Sequence, residues 1–275
     1  MLTLANVVWG ARCGESARRV LLGETRSSGH AYSVRRQRES ASWREAPHRL
    51  PPARLVSTIL FDLWGEVWRK KVAKGDVIVV RYADDLVVGF QYRADAERFL
   101  QAFRERLAKF GLELHTDKTR LIEFGRFAAR NRKQRGEGKP ETFTFLGFTH
   151  FCGQRNRDGA FIVWRITAKK RMVAKLKVIK AELQRRKHHR TTEVGAWLRK
   201  VVLGYYQYHA VPGNSTQLRI FQRRVCWLWR SILVRRSQRA QVRWDRLTPV
   251  FNRWIPQPHT LHPYPDARFA ATHPR

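Results

Sequence analysis

Residues 77–90 read VIVVRYADDLVVGF: one run of β-forming residues, two adjacent aspartates, then a second run. Both runs are almost wholly apolar apart from Arg81, which predicts a hairpin whose strands are covered on both faces. Two neighbouring carboxylates at its tip repel each other, and each favours its protonated form unless a cation or hydrogen-bond donor compensates. A hard cation such as Mg²⁺ meets that need, because it takes oxygen ligands and keeps positions open for water and phosphate. Phosphoryl transfer with two such ions, about 3.5–4 Å apart, requires at least one more carboxylate from elsewhere. The competing reading is a plain turn, since aspartate is a common turn former.

Helices flank the hairpin. Upstream, ILFDLWGEVWRKKVAK sets Leu60, Leu63, Trp64, Val67 and Trp68 at helical spacing. Downstream, DAERFLQAFRERLAKFG aligns Ala96, Phe99, Leu100, Phe103, Leu107 and Phe110, with Asp95 as N-cap and Gly111 past the end. GLELHTDKTRLIEFG predicts two short strands around a polar turn, and ETFTFLGFTHFCG predicts another pair around Gly147. The intervening RFAARNRKQRGEGKP reads as a basic loop.

After the strand AFIVWRIT the pattern turns to basic amphipathic helices. One, capped by Thr167, carries Met172, Leu176, Ile179 and Leu183. The next carries Val194, Trp197, Leu198, Val201, Tyr205 and Tyr208, and after a VPGN turn a third carries Leu218, Phe221, Val225, Leu228 and Ile232. A last short helix is predicted to start at Thr248-Pro249, ahead of a proline-rich extended tail. By contrast, residues 1–56 show no sustained period and read as an unpatterned segment, disordered or non-homologous, without an independent core.

The balance of 55 Lys+Arg against 22 Asp+Glu, a formal net charge of +33, predicts a polyanionic partner. Aromatic residues interleaved with arginine, as in RRVCWLWRSILVRR at 223–236, suit RNA or single strands, where cations meet phosphates and rings stack on bases. Core packing is the competing role for each ring. On the helices, Lys169, Lys170, Arg171, Lys175, Arg223 and Arg224 are the candidate RNA contacts. Three widely separated cysteines, Cys13, Cys152 and Cys226, give neither a zinc spacing nor a disulfide framework. With no apolar run near the roughly 20 residues of a membrane span, the sequence predicts a cytoplasmic protein without membrane or zinc.

Tyr-Ala-Asp-Asp between two apolar strands, followed by a helix, resembles the palm motif of reverse transcriptases. GLELHTDKT at 111–119, FTFLGFTH at 143–150 and GYYQYHAVPGNS at 204–215 follow in the order found in the bacterial group II intron reverse transcriptase/maturase family. The resemblance runs from about Phe61 to the C-terminus. It implies an α+β fold, with a partial palm at 57–166 (an antiparallel sheet with packed helices), a helical thumb or maturase X domain at 167–247, and a short helix and tail at 248–275.

The resemblance also implies roles. Asp84 would be a catalytic metal ligand for Mg²⁺, Asp85 its acidic partner, and Tyr82 a neighbour of the primer terminus. Lys118 would lie near the incoming triphosphate, and Phe145, Leu146 and Gly147 would grip the primer. The implied partners are group II intron RNA, an RNA template with its DNA primer, and deoxynucleoside triphosphates.

The family's fingers, its first catalytic aspartate and its Pro-Gln-Gly segment are not visible upstream of Phe61. Asp62 lies in a helix-like segment matching the helix after that pocket motif. Two functions follow as expectations. One is RNA-directed DNA polymerisation with intron RNA binding for splicing; the other is a non-catalytic RNA-binding maturase remnant or decayed fragment.

Overall fold

The computed structural model describes residues 7–9 as backbone, and residues 63–82, 85–115, 117, 119–236 and 243–264 in full. Apart from that short N-terminal strand, the expectations for residues 1–62 lie outside the described residues. The chain divides into two compact units, one of residues 1–141 and 154–162, the other of residues 142–153 and 163–275.

In the first unit, β2 (Val77–Tyr82) and β3 (Asp85–Phe90) form the predicted antiparallel hairpin, registered from Val77 opposite Phe90 to Tyr82 opposite Asp85. Alternation places Val77, Leu86, Val88 and Phe90 in a cluster with Trp68 and with Ala96, Phe99, Phe103 and Leu107 of α2 (Arg93–Ala108). On the other face Ile78, Val80 and Val87 are also buried. Both faces are covered, as the near-continuous apolar runs require.

The helix before the hairpin, α1 (63–71), sends Trp64 and Trp68 inward. Its predicted stripe is too wide: Leu63 and Val67 are exposed. Two tryptophans one turn apart fill the space over Phe90, Phe99 and Phe103, with ring centroids 5.0 Å apart for Trp68 and Phe99 and 5.5 Å for Trp64 and Phe103. Asp95 is not the N-cap of α2, a position held by Tyr92. Its buried carboxylate instead accepts the backbone N–H groups of Lys74 at 3.0 Å and Gly75 at 2.9 Å and pairs with Arg98.

The hairpin belongs to a four-stranded sheet of order β2-β3-β1-β4, in which β1 is Val7–Trp9 and β4 is Leu121–Glu123. β1 runs parallel to both neighbours, pairing Val8 with Gly89 on one side and Ile122 on the other, so the sheet is mixed. A strand from the patternless N-terminal sequence thus covers the edge of β3 at Val88–Phe90. Val8→Pro is expected to lower the unfolding midpoint, because proline cannot donate to a ladder and is poorly tolerated between two strands. Thermal unfolding followed at 218 nm checks this; an unchanged midpoint would mean that the pairing adds no stability.

Residues 126–140, predicted as loop, contain α3 (Ala128–Gln134). The buried Glu123 of β4 organises it, accepting a hydrogen bond from Asn131 at 3.1 Å and pairing with Arg135. The predicted strand before the Thr-Asp-Lys-Thr turn is reduced to a single bridge at Leu114.

The second unit contains most of the sheet β5-β6-β7 (Phe143–Phe145, Phe148–Gln154, Phe161–Thr167) and the helices α4 (Lys169–Arg185), α5 (Thr191–His209), α6 (Ser215–Val234) and α7 (Trp244–Trp254). The predicted apolar stripes meet in one cluster that includes Ile179, Leu183, Leu198, Phe221, Val225 and Trp229. α7 begins at Trp244, four residues before Thr248, and carries Pro249 inside it. Leu247 and Phe251, one turn apart, are buried in the same cluster as Trp229, which favours the longer helix despite the proline. No helix among the described residues is long and apolar enough to cross a membrane.

Candidate functional site

Tyr82 and Asp85 form the last rung of the β2–β3 ladder. They share the face of Ile78, Val80 and Val87, so the carboxylate sits at the rim of a buried sheet, where Tyr82 is 51% exposed. Ala83 and Asp84, which join the strands, lie outside the described residues, as does Lys118. Among the described residues no three His, Cys, Asp or Glu side chains come together to hold a metal ion. Asp85 supplies the donor chemistry a hard divalent cation takes, and Asp84 would have to complete it.

The second group of candidates lies in the second unit. Phe145 and Phe148 pair at the end of the β5–β6 hairpin, and Leu146 and Gly147 form its two-residue turn. Both turn residues have positive φ, 48° and 79°, the geometry that matches the strand twist. Leucine is strained there, whereas glycine is not.

Three contacts hold the turn. The Tyr208 hydroxyl donates to the Leu146 carbonyl at 2.6 Å, and the Ala168 amide donates to the Gly147 carbonyl at 2.9 Å. Phe148 stacks on Tyr208 with centroids 5.6 Å apart. Phe145 is buried and supports the turn from within, leaving Leu146 and Gly147 partly accessible. A Cβ placed on Gly147 would lie 3.9 Å from Arg171, so the turn and that cation are neighbours.

Behind the turn, Thr167 ends β7 and is not the cap of α4, which begins after Ala168. Its amide donates to Asn214 Oδ1 at 2.9 Å, while Asn214 Nδ2 donates to Thr167 Oγ1 and to the His209 carbonyl, each at 2.8 Å. All three residues are buried. Burial, and secondarily the Arg171 charge, lowers the His209 pKa from 6.5 to about 4.

The unfolded chain therefore protonates His209 near pH 6.5, and the folded chain does so only near pH 4. Its contribution is complete above pH 6.5 and falls as the pH drops through that window, by on the order of 2–3 kcal/mol. Urea unfolding at pH 7.5 and 4.5 should show this fall, and His209→Gln should flatten it.

Of the basic candidates, Lys169, Lys170 and Arg171 on the first turn of α4 and Arg223 and Arg224 on α6 are exposed, and Lys175 is half-buried. None of the six forms an ion pair with a described carboxylate. Cys226 is chemically quiet, since burial pushes its thiol up to about 11. The sequence pattern puts Tyr208 on the core stripe and gives no role to Asn214 or His209. The available signal was the GYYQYHAVPGN run, where polar groups cluster at a helix end.

Residues 18–150 match the family model for reverse transcriptase (RNA-dependent DNA polymerase). The match covers just under half of the chain, starting upstream of Phe61 and ending at the β5–β6 hairpin, so that segment is similar to a reverse transcriptase domain, a family whose activity is RNA-directed DNA polymerisation. The family acts on RNA templates and nucleotide substrates and generally uses divalent metal ions. No curated protein matches the chain significantly.

Proposed function

We propose that the chain is a group II intron reverse transcriptase/maturase, with Mg²⁺-dependent nucleotidyl transfer centred on Asp84 and Asp85 and with intron RNA held by α4 and α6. The supporting observation is the Tyr82–Asp85 rung, which ends a buried hairpin backed by α2 within the reverse transcriptase match. Bound Mg²⁺ would activate the attacking 3′ hydroxyl and stabilise the leaving pyrophosphate. The chain's own share is positional. The rigid sheet holds Asp85 at its rim, Tyr82 borders the primer terminus, Lys118 meets triphosphate charge, and the Leu146-Gly147 turn supports the primer with Arg171 beside it.

The second reading, RNA binding without polymerisation, is favoured by the net charge of +33 and the exposed cations of α4 and α6. Primer extension on an RNA template with Mg²⁺ and four deoxynucleoside triphosphates separates the two. The chain is expected to extend the primer, and Asp84→Ala to abolish extension while leaving RNA affinity unchanged. That affinity should fall steeply with salt, as phosphate contacts dictate. Absence of extension by a folded sample overturns the polymerase reading, and equal affinity for intron and unrelated structured RNA overturns the maturase reading.

A further inference from the structure

An open groove with a cavity volume of about 640 Å³ runs between α4 and α6. Along α4 its lining spans Lys169 to Lys180, and along α6 it spans Gln217 to Leu228. Each stretch is 12 residues by these numbers, about 17 Å of helix axis. The floor is aliphatic: Ile166, Met172, Leu176, Ile220 and Leu228. Val173 and Trp227, 42% and 55% exposed, flank it as apolar side chains without full cover.

The lining carries charge of one sign. Lys169, Lys177, Lys180 and Arg224 are its ionised residues, and no carboxylate joins them. Apolar floor and cationic rim together define a partner with an apolar stripe and acidic flanks. A nucleic acid strand would satisfy the rim, but bases stack on flat rings, and Trp227 is the one ring in this lining. Branched and thioether side chains between two helix ridges instead accept the knobs of a third helix.

We propose that this groove docks an acidic amphipathic α-helix of about three turns, with aliphatic residues at i, i+3, i+4 and i+7 on the floor and Asp or Glu against the rim. The proposal does not depend on polymerase activity; Lys169 and Arg224 are shared with the RNA contacts proposed above, so helix and RNA compete for this rim. Since a chain of charge +33 attracts any polyanion, the deciding property is dependence on the apolar floor and not on charge alone.

The test uses the full chain and a fluorescein-labelled peptide of Glu, Leu and Ala, with Leu at the helix-spaced positions. Its permuted isomer, of equal charge and composition, scatters Leu around the helix. Fluorescence anisotropy should give the patterned peptide at least about tenfold the affinity of the isomer, a gap expected when a pocket anchors apolar side chains. Val173→Gln, a neutral polar change at an exposed position, should abolish that gap while leaving the melting temperature and oligouridylate binding unchanged.

Equal binding of both peptides would overturn the proposal, leaving charge attraction alone. An equal loss of peptide and oligouridylate affinity in Val173→Gln would also overturn it, assigning the groove to nucleic acid. Trp227→Ala provides an independent check, because a helix partner should lose affinity when this flank is removed and the isomer should not.

Discussion

Asn214→Ala is expected to destabilise the second unit by about 3–5 kcal/mol, since removing the amide strands two or more buried polar partners at about 1–3 kcal/mol each. Asn214 is fully buried and accepts from one backbone amide while donating to one hydroxyl and one carbonyl. It is the residue before α6, yet its side chain forms no cap to that helix. The side chain is committed inward, joining the end of β7 to the end of α5.

Alanine leaves the Thr167 amide and the His209 carbonyl without these partners in a space that water does not readily enter. Urea unfolding of the full chain reads the loss. Thr167→Val should cost less, because it removes one hydroxyl and keeps the other two bonds, and the double variant should be clearly less than additive. Additivity would mean that the three residues do not act as one network. The same lesion should loosen the Leu146-Gly147 turn, whose carbonyl is held by Ala168, the residue after Thr167.

The parts legible in the sequence share a property: one strong period and a partner supplied by local pattern. The runs around Asp84-Asp85 match buried strands, and the stripes of α2, α4, α5 and α6 mostly face a core, although Phe110, past the end of α2, and Tyr208 of α5 are exposed. The parts missed depend on contacts distant in the chain. α3 reads as a loop because its residues are mostly polar; its anchor is Glu123, whose partners Asn131 and Arg135 lie 8 and 12 residues away. Thr167 has the composition of a cap, but a buried partner 47 residues away takes its hydroxyl. β1 carries no signal beyond three apolar residues, and its two neighbours are contributed by strands near positions 88 and 122.

The site was legible unevenly for the same reason. Tyr82 and Asp85 follow from strand register, which the short connection between two apolar runs sets. The turn at Leu146-Gly147 follows from a glycine between two strand patterns, but its lock does not. Tyr208 lies 62 residues away, and only the fold brings its hydroxyl to the Leu146 carbonyl.

Asp95→Ala tests whether the hairpin tip is held by its approach as well as by its sheet. Residues 72–76 lead into β2, and the Asp95 carboxylate receives the Lys74 and Gly75 amides while Gln91 Oε1 receives that of Asp76 at 3.1 Å. The loop is thereby tied to α2 at the point where the chain enters the strand ending in Tyr82. Alanine removes the acceptor for both amides and the partner of Arg98, a loss expected at about 2–4 kcal/mol. Asp95→Asn, which keeps an acceptor and gives up only the pairing with the half-exposed Arg98, should lose on the order of 1 kcal/mol. Hydrogen exchange gives the local reading: in Asp95→Ala the amides of Lys74 and Gly75 should exchange faster, with β2 following if strand entry depends on the tie. Equal stability of the two variants would mean that the Arg98 pairing carries the effect. A stability loss with no change in exchange along 74–82 would confine Asp95 to packing α2 and remove it from positioning the site.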